Sequence, residues 1–589
     1  MCESCVGFDA NALYLWAIMQ PMPTGPYIRR QCSTGFIPVK QKVNASYAAQ
    51  EYLDYITFTT GNNIQHRLNG GEKQLGRKRI RVDGWCPKTQ TVYQFQGCYY
   101  HGHSCELNTA QVNTRVQTSM PALAEHTKKI SDYLEKLGYN VIEIKECEWR
   151  EMKKTNNDVK LFLNNRKKTK WTNPTPISTD KILTDIKRGR LFGVVECDIQ
   201  VPPALRDHFK EMTPIFKNID IQRKDIGEVM SEYAETNNIM NTARQGLIGS
   251  YFGKNIMLIT PLLQWYVDHG LEVTNIYAVT EWEPNACFSA FGDNVSDARR
   301  AGDTNPDLAI IADTMKLLGN SAYGKTVTNK EKHLDVKYVD SDQAKELIND
   351  KRFKAVNEIN ENLYEVEMMK QRIHMDLPLQ IGFFVYQYAK LKMLAFYYDF
   401  LDYYIDRQNF EYCEMDTDSA YIALGGKTLA AVIKPERRSE FYQRRHEWLP
   451  NESCEAHRSE YITTSTQGGE WVAPTCCQKV NAYEKRTPGL FKIEWKGTGI
   501  ISLCSKTYYC FGKKDKCSTK GLSQTQNQLN KEIFLDVLTT RQSKGGKNVG
   551  FRVNGGDIYT YVQQRAALSY FYPKRQVLSD GVSTIPLEI

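Results

Sequence analysis

The sequence predicts an α+β protein of several domains, and three observations support this prediction. The chain has 589 residues, of which 41% are hydrophobic and 24% charged, a composition typical of globular proteins and a length beyond a single core. Segments with the two-residue period of strands alternate with segments of helical period along the chain. No run of about 18 apolar residues occurs, which argues against a membrane-spanning helix.

The first residues include the acids Glu3 and Asp9 and no basic cluster, so they do not resemble a signal peptide. We therefore expect a soluble, intracellular protein without a membrane partner, and the sequence does not distinguish a nuclear from a mitochondrial location. Sixteen cysteines in such a chain argue against a disulfide framework. We expect mostly buried thiols, and any close Cys/His cluster is a candidate metal site.

The first element is an apolar strand at Val6–Phe8 that runs into Asp9, followed by a helical segment at Ala10–Met19. Breakers at Pro21–Pro26 end this segment. A carboxylate at the end of a buried strand is a common position for a catalytic acid. Asp9 is therefore the first candidate site residue.

Residues 36–150 predict a separate small α/β domain. Its elements are, in order, a helix at Tyr47–Phe58, strands at Ile80–Asp83 and Thr91–Phe95, a helix at Ala122–Leu137 and a strand at Asn140–Lys145. A polar stretch at 151–190 is typical of a linker, and a strand at Gly193–Val201 resumes a core. This order predicts a domain inserted into a larger one.

Two basic stretches could contact a phosphate backbone. Arg67–Arg81 contains six Lys/Arg and one acid, and Lys506–Arg552 contains ten Lys/Arg and three acids. A solvated basic face explains either stretch equally well when it is considered alone.

A Cys/His cluster lies in the predicted small domain. Its members are Cys98, His101, His103 and Cys105, with Cys147 further along the chain. Three thiols and one imidazole are sufficient for a tetrahedral structural zinc. The spacing is not that of a common zinc finger, and on spacing alone free buried thiols are an equally good interpretation.

Two further carboxylates, Asp416 and Asp418, lie at the tip of a hairpin predicted from strands Phe410–Met415 and Ala420–Leu424. Together with Asp9 they would provide the oxygen ligands that Mg²⁺ prefers. Two such ions about 3.5 to 4 Å apart stabilise the attacking and leaving oxygens of a phosphoryl transfer. A turn with solvated acids is the alternative interpretation.

Two more groups combine cations with aromatic rings. A helix predicted at Asp307–Leu318 runs into the segment Gly319–Lys325. If the helical spacing continues, one helical face carries residues i, i+4 and i+7, which are Lys316, Asn320 and Tyr323. Lys506 and Tyr508 alternate on a predicted strand and would project from the same side. A core tyrosine in the first group and an ordinary exposed strand in the second are the alternatives.

The rest of the second half contains predicted helices. A long aromatic-rich helix at Ile381–Tyr404 precedes the hairpin, and residues Gly521–Ile589 predict an appended lobe with helices near Asn527–Thr539 and Tyr559–Phe571.

Four of these segments, in this order, resemble the motifs of the family B DNA polymerases, in particular the protein-primed branch that includes the Maverick/Polinton transposons. Asp9-Ala-Asn-Ala-Leu-Tyr14 resembles the first palm motif, Lys316 to Gly324 the fingers motif K-x-x-x-N-S-x-Y-G, Asp416-Thr-Asp418-Ser the D-T-D-S motif, and Lys506-Thr-Tyr508 the K-x-Y motif. Departures from the first motif occur at Ala12 and Leu15.

The resemblance implies a template-directed DNA polymerase that binds a DNA primer-template, deoxynucleoside triphosphates and two Mg²⁺ ions, with a terminal protein as a further partner in priming. It implies metal binding by Asp9 and Asp418 with Asp416 assisting, exclusion of a 2′-hydroxyl by Tyr14, triphosphate binding by Lys316, contact with the nascent base pair by Asn320 and Tyr323, and primer binding by Lys506 and Tyr508. Because only eight residues precede Asp9, we expect no proofreading domain in this chain.

The small domain resembles the very-short-patch mismatch repair endonucleases through Val82-Asp83-Gly, Gly97 to Cys105 and Ile144 to Trp149. This resemblance implies a restriction-endonuclease-like fold, a structural zinc on Cys98, His103, Cys105 and Cys147, a magnesium-binding acid at Asp83 and a catalytic histidine at His101. Gln94-Phe-Gln96 stands where related nucleases have E-x-K, which leaves Glu72 as the partner carboxylate of Asp83. A nuclease and a DNA-gripping remnant both fit these residues.

We therefore expect an α+β polymerase with palm, fingers and thumb and an inserted restriction-endonuclease-like domain. The expected order is a first palm segment at 1–35, the inserted zinc domain at 36–150, a linker at 151–190, a palm and priming-insertion region at 191–280, fingers at 281–330, palm at 331–510 and thumb at 511–589. The alternatives are a catalytically inactive DNA-binding remnant of a mobile-element polymerase and a protein whose main activity is the inserted endonuclease.

Overall fold

The structure, a computed structural model, describes residues 2–32, 37–38, 46–62, 64–67, 72–105, 108–114, 116–170, 177–554 and 557–589. The chain divides into two compact units. The first comprises Met1–Met22, Cys197–Asn275 and Pro284–Ile589, and the second comprises Pro23–Glu196 and Ile276–Glu283. The expected mixture of helices and strands is confirmed. Within the described ranges, no helix is both long enough and apolar enough to cross a membrane.

The first unit contains a four-stranded antiparallel sheet, here called the central sheet. Its strands are, in spatial order, Phe410–Asp416, Ser419–Leu424, Ser4–Ala10 and Phe491–Gly497. The strand that comes first in the chain is therefore an interior strand, hydrogen-bonded on both edges to strands from the second half of the sequence.

Aromatic side chains pack against both faces of the central sheet. On one face the long helix Leu379–Ala395 continues through a π-helical turn at Phe396–Leu401, and Phe396 stacks on Phe491 with ring centroids 3.7 Å apart. On the other face Gly7 lies under Tyr421, where a Cβ would stand 2.7 Å from the tyrosine ring. Any side chain at Gly7 would overfill this contact.

The structure gives bounds for the other elements of the first unit. The helices are Leu13–Met19, Glu228–Thr236, Thr260–Asp268, Ser289–Thr304, Ala309–Ser321, Ser341–Ile348, Asp402–Tyr404, Arg438–Arg444, Arg458–Thr466, Thr475–Glu484 and Lys531–Thr540. The strands are Ile215–Ile221, Arg244–Ser250, Phe252–Ile259, Leu334–Val339, Phe353–Asn360, Leu363–Met369, Gly499–Cys504, Thr507–Phe511, Lys516–Ser518, Lys544–Asn554, Asp557–Leu568, Gln576–Val577 and Thr584–Ile585.

One predicted helix near the C-terminus is wrong. The segment near Tyr559–Phe571 is largely a strand, Asp557–Leu568, which pairs antiparallel with Lys544–Asn554. The five residues from Ile558 to Val562 are all β-branched or aromatic, and such side chains favour strands over helices. The helix predicted near Asn527–Thr539 is confirmed as Lys531–Thr540.

The second unit contains its own four-stranded sheet, in the order Asn140–Lys145, Thr91–Gln96, Gly84–Cys86 and Gln65–His66. The first two strands are parallel, and the helix Met120–Lys136 lies in the connection between them. The other pairs are antiparallel. The remaining elements are the helices Tyr47–Thr60, Glu146–Thr155, Asn157–Lys170 and Thr179–Lys187 and the strands Ile37–Pro38, Lys73–Leu75, Ile80–Val82, Val112–Asn113 and Thr118–Ser119. The unit boundaries fall in or beside the strands Met22–Gln31, Gly193–Gln200 and Glu272–Asn285.

The polar stretch at 151–190, predicted as a linker, is largely helical in its described residues. Val159 packs in an apolar cluster with Trp149, and Ile182 and Ile186 are buried four residues apart on one helix. These few apolar residues at helical spacing order the segment. Many charged residues lie between these apolar residues, so the helical spacing was not recognised in the sequence.

Candidate functional site

The central sheet brings three carboxylates to one end. Asp9 lies opposite Ser419 in the register of its strand, and the backbone N–H of Ala10 donates to the Asp418 carbonyl oxygen at 2.7 Å. Asp416 and Asp418 flank Thr417, which has a φ of 61° in the tight turn of the hairpin. Residues about 400 positions apart in the chain therefore form an acidic group at one end of the central sheet, because the hairpin turn and the end of the Ser4–Ala10 strand coincide.

Burial and mutual repulsion disfavour the ionised form of Asp418 in this acidic group. Burial raises the pKa of Asp418 to about 6, and the nearby charges of Asp9 and Asp416 contribute to the rise. Two lysines compensate the other acids: Lys492 Nζ lies 2.9 Å from Asp9 Oδ2, and Lys506 Nζ lies 2.5 Å from Asp416 Oδ1. The carboxylates are thus paired with two ammonium groups, that of Lys492 on the adjacent strand Phe491–Gly497 and that of Lys506 in a turn.

Glu414 supports the Lys506 turn and was missed in the sequence analysis. It is buried, accepts hydrogen bonds from the Ser502 hydroxyl and from the backbone N–H of Lys506, the latter at 3.2 Å, and burial raises its pKa to about 7. Its position two residues before Asp416 on the same strand was the available signal, because alternate residues share a face.

Three tyrosine rings form a cluster next to the acids. Tyr14 stacks on Tyr323 with centroids 4.7 Å apart, and Tyr386 contacts the edges of both at 6.1 and 5.3 Å. Burial raises the pKa of Tyr14, and its hydroxyl also interacts electrostatically with Asp418 and Lys506. Tyr386 comes from the helix Leu379–Ala395. The sequence analysis missed it because that helix contains many aromatic residues.

Lys316 and Asn320 are exposed on the helix Ala309–Ser321. Gly319 of the same helix faces Leu15, since a Cβ there would lie 3.6 Å from the leucine methyl groups. Lys316 forms no ion pair with any residue that the structure describes. The structure therefore does not bring it into contact with the carboxylates.

The expected projection of Lys506 and Tyr508 from the same side of one strand is wrong. Lys506 has a φ of 66° and lies in the turn before the strand Thr507–Phe511, where strand alternation has not yet begun. Tyr508 is 3% exposed and its hydroxyl donates to that of Tyr421 at 3.1 Å. Lys506 reaches the acids, whereas Tyr508 belongs to the core.

The predicted Cys/His group of the second unit is close together in space. Ligand atoms of Cys98, His103, Cys105 and Cys147 all lie within 4.8 Å of one another, with Cys147 Sγ 3.7 Å from His103 Nδ1. Cys147 arrives in the first turn of the helix Glu146–Thr155, after the strand that runs parallel to Thr91–Gln96. This arrangement could hold a metal ion. Burial raises the pKa of the Cys98 thiol to about 12.

The candidate nuclease residues of this unit are less well assembled. Asp83 accepts a hydrogen bond from the backbone N–H of Phe95 at 2.8 Å, and burial raises its pKa to about 6, with a smaller contribution from Glu72. Glu72 itself pairs with Arg67 at 3.4 Å. His101 Nδ1 lies 3.3 Å from the Thr127 hydroxyl, and burial lowers its pKa.

A second Cys/His group, in the first unit, was missed in the sequence analysis. Ligand atoms of Cys454, His457, Cys476 and Cys477 also lie within 4.8 Å of one another. A hydrogen bond with His457 lowers the pKa of Cys454 to about 6. The signal was a C-x₂-H pair followed by adjacent cysteines. All sixteen cysteines are described, none is in a disulfide, and six are buried, fewer than expected.

No protein-family model and no curated protein matches this chain. One solved structure is similar. It is described as "Phi29 DNA Polymerase, orthorhombic crystal form", with 12% sequence identity and a TM-score of 0.32 over 64% of this chain and 51% of that chain. The chain thus matches about half the length of that structure. A likeness of this size carries no argument about activity or site residues.

Proposed function

We propose that this protein is a template-directed DNA polymerase that extends a primer by two-metal phosphoryl transfer. The observation that carries the proposal is the meeting of Asp9, Asp416 and Asp418 at one end of the central sheet, beside the stacked rings of Tyr14 and Tyr323. A metal site beside an aromatic platform meets the two needs of the reaction, charge neutralisation at the phosphates and a shaped surface for the nucleotide.

The donor set fits hard divalent cations. All three groups are carboxylates, the ligands that hard divalent cations prefer, and the charges of Asp9 and Asp416 add to the effect of burial in raising the pKa of Asp418. Asp9 and Asp418 would hold two Mg²⁺ ions with Asp416 assisting, in exchange for the contacts of Lys492 and Lys506. The ions would supply charge stabilisation for the attacking 3′-hydroxyl and the leaving pyrophosphate.

The surrounding side chains would position the reactants. The Tyr14 ring, fixed by its stack with Tyr323, would lie under the sugar of the incoming nucleotide and exclude a 2′-hydroxyl. Tyr323 and Asn320 would line the nascent base pair, and the exposed Lys316 would bind the triphosphate. Lys506 would give up its ion pair with Asp416 and bind a primer phosphate instead, while the hydrogen bond from its backbone N–H to Glu414 keeps its turn in place.

The partners of this reaction are a DNA primer-template and deoxynucleoside triphosphates. A terminal protein primer and a mobile-element origin rest on the motif resemblance alone.

Primer extension with Mg²⁺ tests the proposal. Asp418→Asn should abolish incorporation and leave DNA binding intact, because the change removes charge from the metal site and little from the surface that contacts the DNA backbone. Asp342→Asn is the matched control, since that carboxylate is 92% exposed, on the helix Ser341–Ile348. Wild-type protein that binds primer-template without extending it would instead identify an inactive DNA-binding remnant.

For the second unit we propose a structural zinc on Cys98, His103, Cys105 and Cys147, supported by the proximity of these four groups. Cys147→Ser should release this zinc and lower the thermal stability of the unit, because structural zinc contributes directly to folding. A nuclease role has less support, since Asp83 is only partly exposed and accepts a hydrogen bond from the Phe95 N–H, and its partner Glu72 already pairs with Arg67. Cleavage of supercoiled DNA that Asp83→Asn abolishes would establish that role.

A further inference from the structure

The chain leaves the central sheet after the strand Ser419–Leu424 and returns to it with the strand Phe491–Gly497. The intervening residues 425–490 form a small helical region. Two separate points of this region carry the second Cys/His group: Cys454 and His457 precede the helix Arg458–Thr466, and Cys476 and Cys477 lie in the first turn of Thr475–Glu484. Elements that are apart in the sequence thus present four ligands to one point.

The distances in this group fit a tetrahedral zinc. Cys454 Sγ lies 3.7 Å from both Cys476 Sγ and Cys477 Sγ. With Zn–S bonds of about 2.3 Å, the edge of a tetrahedron between two sulfurs is about 3.8 Å. His457 Nδ1 lies 3.5 Å from Cys476 Sγ, close to the edge of about 3.6 Å that Zn–S and Zn–N bonds give, and 3.1 Å from Cys454 Sγ, so a small outward shift of that thiolate would complete the tetrahedron.

Neither a disulfide nor a set of free thiols fits this group as well as zinc does. A disulfide requires about 2.05 Å between sulfurs, and the separations of Cys454 Sγ from Cys476 Sγ and Cys477 Sγ are far longer. Free thiols do not need an imidazole nitrogen within 3.1 and 3.5 Å of two of the sulfurs. The backbone N–H of Cys454 also donates to Cys477 Sγ at 3.3 Å. This sulfur would be a thiolate when zinc is bound, and such a hydrogen bond stabilises a metal-bound thiolate.

We infer that Cys454, His457, Cys476 and Cys477 form a structural zinc site that fastens the helical region 425–490. Binding forms three Zn–S bonds and one Zn–N bond, and the three thiol protons are released to solvent. No open coordination position remains, so the ion has a structural role.

The position of this site gives it an effect on the acidic group. The helix whose first turn holds Cys476 ends at Glu484, whose carboxylate accepts from the backbone and side-chain N–H groups of Asn451 at 2.6 and 2.8 Å. After this helix the backbone N–H of Gly489 donates to the carbonyl oxygen of Asn11 at 2.8 Å, and the chain then enters the strand that carries Lys492. Zinc bound at the start of the helix Thr475–Glu484 would therefore help to hold the strand that follows this helix, in the register that places Lys492 opposite Asp9.

Residue-resolved alkylation of the zinc-loaded, full-length wild-type protein tests the inference directly. Cys476 and Cys287 are both exposed thiols, and Cys287 belongs to neither group. With zinc bound, iodoacetamide should modify Cys476 at least tenfold more slowly than Cys287, as read by peptide mass spectrometry, and a zinc chelator should abolish that difference. Equal modification of both thiols before and after chelation would overturn the inference.

Zinc content gives a second measurement, one that separates this site from the one proposed in the second unit. Cys454→Ser/Cys476→Ser should lose one molar equivalent relative to wild type, Cys98→Ser/Cys147→Ser should independently lose another, and Cys287→Ser should lose none. A Cys454→Ser/Cys476→Ser protein with the zinc content of the wild type would refute the inference whatever the other pair does. If that variant does not fold, the alkylation of the wild type decides.

Discussion

Asp418→Asn is expected to stabilise the metal-free protein while it abolishes catalysis. Burial and the charges of Asp9 and Asp416 raise the pKa of Asp418 from 3.8 to about 6. At neutral pH the folded state therefore contains an ionised carboxylate that the unfolded chain accommodates more easily. Asparagine has nearly the same shape without the charge, so the variant does not bear this cost.

The size of the effect follows from the shift. A pKa difference of about two units between the folded and unfolded states corresponds to about 3 kcal/mol, and partial exposure of the carboxyl reduces this to about 1 to 3 kcal/mol. The pKa is raised on folding, so the cost is absent below about pH 4, where both states are protonated. It grows between about pH 4 and pH 6 and is constant above that range.

Thermal unfolding with a chelator present measures this directly. The midpoint of Asp418→Asn should exceed that of the wild type at pH 7.5, and the gap should close toward pH 4, whereas Asp342→Asn should match the wild type at both pH values. Mg²⁺ should raise the midpoint of the wild type and leave that of Asp418→Asn unchanged. A metal-free variant less stable than the wild type at pH 7.5 would refute the electrostatic reasoning.

Three further outcomes are expected. Tyr14→Ala should admit ribonucleotides in competitive primer extension while deoxynucleotide incorporation persists, and unchanged discrimination would make the ring a packing residue only. Gly7→Ala should lower stability by about 1 to 3 kcal/mol in denaturant titrations, because its Cβ would stand 2.7 Å from the Tyr421 ring; an unaltered midpoint would contradict that contact. Lys390→Met should stabilise the protein at pH 7, because burial lowers the pKa of Lys390 from 10.5 to about 7 and the unfolded chain holds the charge more easily. The gain in stability should fade as the pH approaches 10.5, where the lysine is becoming neutral in both the folded and the unfolded state. A gain that does not vary with pH would point to packing instead.

The sequence was informative where one local rule governed the outcome. The strand that ends at Asp9 and the tight turn between Asp416 and Asp418 were predicted from short apolar runs and turn chemistry, and the structure places these three residues at one end of one sheet. Cys147 was assigned to its group through the resemblance to the repair endonucleases, and the structure brings it there by pairing its preceding strand, Asn140–Lys145, with Thr91–Gln96.

The sequence was less informative where tertiary context decided. Tyr508 was expected to project from the same side of a strand as Lys506, but Lys506 lies in the turn before that strand and the Tyr508 ring is buried in the core. Tyr386 could not be singled out in a helix with so many aromatic residues. The ligands Cys454 and Cys476 come from two helix starts whose approach depends on packing, which no local pattern encodes.

The interior position of the strand Ser4–Ala10 has a consequence for biosynthesis. This strand leaves the ribosome well before its neighbours, since its two hydrogen-bonding edges are completed by the strands Ser419–Leu424 and Phe491–Gly497, which follow more than 400 residues later. Until then an apolar strand with two unpaired edges must be kept from pairing with other chains. Nascent chains released before residue 497 should therefore depend on chaperones far more than the finished protein does, and the acidic group at the end of this strand can form only after the hairpin at Asp416 and Asp418 has been made.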